Sequence, residues 1–157
     1  MPEKGPHGKY AMTLSYAATE RFVLGLDYRP QSDDLTPLAS YRLLDETQTR
    51  PALIAGASAD EFDNEISMTY HLVLSKKLAE FGGVSFSPYI GPMYIQTRDE
   101  LTMIGGFSAR KDIASLMGMW SGEYFHLVGK LDLNDHLSVG VVWWGMKTLG
   151  VTTGIRF

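Results

Sequence analysis

From Tyr10 onward, large apolar residues alternate with small or weakly polar ones in stretches of roughly ten residues, and short polar turns separate the stretches. Tyr10, Met12, Leu14 and Tyr16 alternate with Ala11, Thr13, Ser15 and Ala17 before the turn Ala18-Thr19-Glu20. Phe22, Leu24, Leu26 and Tyr28 then alternate with Val23, Gly25, Asp27 and Arg29. After the loop Gln31–Asp34, Pro37, Ala39, Tyr41 and Leu43 share one face, with Leu38, Ser40 and Arg42 on the other. Successive side chains of a strand point to opposite faces, so this period of two predicts strands with two unlike faces. Helical spacing is scarce.

Pro51 to Ala59 is apolar on both faces and ends in the acidic loop Asp60 to Glu65. Ile66, Met68, Tyr70, Leu72 and Leu74 alternate with Ser67, Thr69, His71, Val73 and Ser75, and Lys76 to Gly83 makes the return. Val84, Phe86, Pro88, Ile90, Pro92 and Tyr94 form one face of the next segment, where the two prolines predict bends or unpaired positions. Leu101–Ser108 and Ile113–Trp120 read as a hairpin around residues 109–112, and the second of them is also compatible with a short helix. Phe125, Leu127, Gly129 and Leu131 alternate with Tyr124, His126, Val128 and Lys130, and Asn134-Asp135 supplies a turn. Leu137, Val139, Val141 and Trp143 continue the apolar face, and Leu149, Val151, Thr153, Ile155 and Phe157 finish it.

About eleven strand candidates with short connections predict an all-β fold, an antiparallel up-and-down barrel of about 10–12 strands. Residues 1–157 read as one domain, with residues 1–8 as a flexible tail. An even closure of ten or twelve is the expectation, either because one strand in Leu101–Trp120 is miscounted or because a strand precedes this chain.

Charge then decides what surrounds the barrel. Of the 18 acidic residues, Asp27 sits well inside a strand candidate, whereas Asp33, Asp34, Asp60, Glu61, Asp63, Glu65, Asp99 and Glu100 are expected in connections. A lipid-facing wall would impose this, because an Arg or Lys at the bilayer midplane costs about 2–4 kcal/mol. Tyr10, Tyr16, Phe22, Tyr28, Tyr94, Trp120, Tyr124, Trp143 and Phe157 cluster near strand ends, where interfacial aromatic rings belong. A transmembrane barrel follows, since open strand edges cannot be left unpaired in lipid. The net charge of −4 argues against nucleic acid as a partner, and the absence of Cys excludes disulfides and thiolate chemistry. No apolar run approaches the roughly 18–20 residues of a membrane helix, and MPEKGPHGKY has no hydrophobic core of a secretory signal, so any such signal lies outside this chain.

The last stretch, Leu149 to Phe157, alternates apolar residues and ends in Phe, and in this it resembles the bacterial outer-membrane β-barrel proteins as a class. The resemblance implies an outer-membrane location, surrounding lipid and the barrel assembly machinery as partners, and Phe157 as part of the assembly signal. The composition of the inward face favours a passive pore for small solutes, and the absence of any distinctive site favours a structural envelope protein.

With the large apolar face toward lipid, the other face supplies a Gly-rich, polar lumen that includes Asp27, Arg29, Arg42, His71, His126, Lys130 and Arg156. Arg29, Arg42, Lys130 and Arg156 outnumber Asp27, which predicts a mildly cationic lumen and small anionic solutes as candidate partners. Alternatively, these cations pair with Asp27, Glu123 or carbonyl groups and brace the wall. Two further readings stay open: an outer-membrane lipid-modifying enzyme, and a soluble barrel binding a hydrophobic ligand with its apolar stripe inward. For the enzyme, His71, His126 and His136 are candidate bases and Ser67, Ser75, Ser121 and Ser138 candidate nucleophiles, with His126 foremost beside Glu123 and Tyr124. No metal-ligand spacing and no phosphate-cradling glycine loop is present, so no cofactor is expected; Gly82-Gly83 and Gly105-Gly106 read as turn or kink residues.

Overall fold

The structure is a computed structural model and describes residues 10–30, 33–62 and 65–157. The expected tail, with His7, and Asp63 of the acidic loop lie outside the described residues. The strands are β1 (Tyr10–Ala17), β2 (Phe22–Arg29), β3 (Asp34–Leu44), β4 (Ala52–Phe62), β5 (Glu65–Ser75), β6 (Ala79–Phe81), β7 (Val84–Ile95), β8 (Glu100–Lys111), β9 (Ala114–Trp120), β10 (Phe125–Asp132), β11 (Leu137–Trp144) and β12 (Thr148–Arg156). Neighbours in sequence pair antiparallel, except that β5 reaches past the three-residue β6 to pair with β7. β1 pairs with β12, and this closes a ring of eleven strands with β6 as a short flap outside it.

The closure corrects the expectation of an even count. In an up-and-down ring with an odd number of strands the first and last run the same way, and β1 and β12 are indeed parallel, from Tyr10↔Val151 to Ser15↔Arg156. Residues 113–120 supply a strand to the hairpin rather than a helix.

The registers sort every strand into two faces. Ser40, Gly56, His71, Met93 and Thr102 lie opposite one another in turn across five strands and face inward. On the alternate positions, Met12, Leu26, Tyr41, Leu72, Ile90, Met103, Val141 and Leu149 are exposed on the outer wall. Among the described side chains of the ring, Lys111 is the one Asp, Glu, Lys, Arg or His on that wall, and it occupies the last position of β8. The polarity is therefore inverted relative to a carrier whose apolar stripe lines its interior: here the large apolar residues face out.

Curvature is concentrated at inward glycines. A Cβ on Gly91 would stand 1.9 Å from the Leu72 carbonyl oxygen, and one on Gly106 the same distance from that of Gly118. These strands bend so sharply that a neighbouring backbone occupies the side-chain position, as barrel closure requires. Gly105-Gly106 is thus a kink within β8, whereas Gly82-Gly83 is a turn with both φ angles positive.

Gly91→Ala should therefore lower stability by about 3 kcal/mol or prevent folding. Gly129→Ala, whose new Cβ would face outward with its nearest neighbour at 3.6 Å, should be nearly neutral. Urea titration of the detergent-refolded variants, read by tryptophan fluorescence, checks the contrast.

Candidate functional site in the barrel lumen

Alternation puts every second side chain of eleven strands inside one ring, so the lumen is where polar groups gather. By register Asp27, Arg29, Arg42, His71, His126, Lys130 and Arg156 all lie on the inward face, but not at one place. Strand direction divides them between two ends. Asp27 and Arg29 end β2 near the rim where β1 begins, whereas Arg42, Lys130 and Arg156 lie toward the opposite rim.

Arg29 is engaged from three sides. Its Nε lies 3.8 Å from Asp27, one Nη lies 4.0 Å from Asp60, and that Nη donates to the Ala59 carbonyl at 3.2 Å. Asp27 in turn accepts from the Thr13 hydroxyl at 2.7 Å. This network joins β1, β2 and β4 and braces the wall. Arg42 stands half-exposed at the opposite rim and pairs with Asp45 at 3.3 Å. The ring of His71 lies over Gly56, where a Cβ would come within 2.3 Å of Nε2.

His126 is buried at 3% exposure, its Nδ1 accepts the Gly145 N–H at 2.9 Å, and its ring meets Trp144 edge-to-face at 5.2 Å. That packing seats it as part of the lumen wall. Of the candidate nucleophiles, Ser138 donates to the Gly154 carbonyl, Ser67 to that of Met68, and Ser121 closes the turn with Tyr124. Glu123 pairs with Arg98.

The uniform cationic excess needs correction. Asp34, Asp60, Glu65 and Glu100 were expected in connections, but they belong to strand ends, and the registers turn them inward at the rim that holds Asp27 and Arg29. At the opposite rim Arg110 and Asp132 are also inward and were missed, because residues 109–112 read as a turn whereas β8 continues to Lys111. Arg110 and Lys130 both pair with Asp132, at 2.6 and 3.4 Å. The lumen is therefore polarised along its axis, acidic at one end and basic at the other.

The buried Met93–Ile95 cluster and the cavity lie in different halves. Ile95 and Met93, at 2% and 6% exposure, pack with Ile104 in the acidic half. The basic half holds a cavity of about 400 Å³ lined by Thr13, Ser15, Ser138, Thr152 and Gly154 together with Arg110, Lys130, Asp132, His136 and Arg156. Among the described residues no three His, Asp or Glu side chains converge as a metal site would require.

Arg29→Gln should cost about 2 kcal/mol, because it leaves Asp27 and Asp60 without their shared cation in a partly desolvated wall. Arg42→Gln, at the exposed rim, should cost less than about 0.5 kcal/mol. Equilibrium unfolding of both variants measures the difference. Comparison with known proteins supplies no relative: no family model, no curated protein and no solved structure matches the chain.

Proposed function

We propose that the chain is a bacterial outer-membrane β-barrel whose lumen is a passive route for small polar solutes. The observation that carries this reading is the outer wall, where apolar side chains cover every strand and, among the described side chains, charged ones stay at the rims. Water would penalise so large an exposed apolar surface, and a bilayer would not. Six of the eleven ring strands, at 9 to 12 residues, reach the roughly 9–11 that a tilted strand needs to cross hydrocarbon, and the other five have 7 or 8.

Aromatic residues flank this wall on both sides. Tyr28 and Tyr94 donate their hydroxyls to the turn carboxylates of Asp33 and Asp99, at 3.0 and 2.7 Å, so each ring lies on the wall with its polar end toward the rim. Near the opposite rim Phe22 packs on Tyr41 and Phe86 on Phe107. Such paired belts suit the two interfaces of a bilayer. Phe157 continues the outward face of β12, exposed and tied to β1 through its N–H to the Ser15 carbonyl, which supports its reading as an assembly signal.

The basic cavity and the small hydroxyl-bearing lining favour a solute route. A second reading, a structural envelope barrel with a closed lumen, is favoured by the packing of Met93, Ile95 and Ile104 in the acidic half.

Val141→Arg places a cation on the outer wall in the middle of β11 and should destabilise the barrel in phosphatidylcholine vesicles by about 2–4 kcal/mol. Equal stability of the variant and the parent in vesicles would remove the membrane reading. Planar-bilayer recording of the refolded chain separates the two lumen readings. Stepwise conductance supports the route, whereas a folded, inserted and electrically silent barrel supports the structural role.

A further inference from the structure

We infer that the basic-end cavity is a binding site for a small, strongly hydrophilic oxyanion of the phosphate or polycarboxylate class. The inference deepens the solute-route reading and rests on it for how the anion arrives, but the site itself is read from the cavity. Three cations, Arg110, Lys130 and Arg156, line one space of about 400 Å³, well within the size of small-molecule sites. A bare phosphate would leave much of that volume to water, so an organic phosphate or a polycarboxylate fills it better.

The charge arrangement points the same way. Asp132 is shared by Arg110 and Lys130, so one carboxylate serves two cations and leaves each with donors to spare. Among the described residues no ion pair engages Arg156; its backbone is fixed instead, its N–H donating to the His136 carbonyl at 2.8 Å and its own carbonyl accepting from the His136 ring at 3.0 Å. Its exposed guanidinium lines the cavity with no carboxylate paired to it, and it can bind an incoming anion with two parallel hydrogen bonds. Asp132 and Asp135 also line the space, so the net charge is a single positive one, enough to attract an anion without holding it irreversibly. The hydroxyl of Thr152 on the neighbouring wall offers a further polar contact.

The barrel, refolded in a non-ionic maltoside micelle at low ionic strength, is titrated calorimetrically with pyrophosphate and with citrate. Binding of either by the parent, at least roughly tenfold weaker in Lys130→Gln/Arg156→Gln and unchanged in Lys111→Gln, is the expected result. Lys111 is the control because it stands at the same rim but faces outward, so it tests for general attraction by surface charge. Failure of the parent to bind both probes, or equal affinity in the double variant, overturns the assignment. Should the double variant not refold, Arg156→Gln alone decides, since it leaves no carboxylate without its cation. Adding phosphatidylglycerol to the micelles distinguishes sources. Competition supports a lipid headgroup as the bearer of the oxyanion, and no competition supports a dissolved solute. A parent barrel that conducts but binds neither probe would overturn this site alone, whereas binding without conductance would keep it and remove the solute route.

Discussion

Under the membrane reading proposed above, no water reaches the outer wall to satisfy a free backbone edge, and that constraint organises the whole molecule. Every N–H and C=O must find a partner in a neighbouring strand, so the sheet has to return to its own beginning. Eleven strands achieve this only through a parallel junction of β1 with β12. Closing so small a ring demands bends, and the bends fall where glycine lets one backbone approach another, at Gly91 and Gly106.

The same inversion of inside and outside accounts for the chemistry of the lumen. Polar groups excluded from the outer wall turn inward, where they have to satisfy one another. In one half they do so as a brace, with Arg29 held by Asp27 and Asp60. In the other half the cations outnumber the carboxylates within an open space, and the surplus faces a cavity. A single net charge of −4 for the chain conceals this separation.

Strand order and facing were legible because the period of two persists through nearly every segment. The ends of strands were less so. Asp60 and Glu100 read as loop residues because acids in an apolar pattern resemble turn signals, yet their backbones remain in the ladder and only their side chains reach water at the rim. The tight turn at Gly145-Met146, with φ of 53° and 58°, gave no warning, since Met is a poor residue for a left-handed position and the surrounding run is apolar. The brace around Arg29 could be read only as an alternative, because nothing local links β2 to residue 60. That pairing depends on how far the ring turns between β2 and β4.

The parallel junction also orders the folding of the chain in time. Almost all of the ring is made of hairpins between neighbours in sequence, which can zip locally, but the contact of Ser15 with the Ile155 carbonyl joins residues 140 positions apart. The entropy of closing so long a loop is recovered only when β1 and β12 are both in place, so this junction is the last to form. Until then the protein is an open ribbon with two unpaired edges and a greasy outer face. Its most vulnerable moment is set by topology, at the step just before the ring shuts.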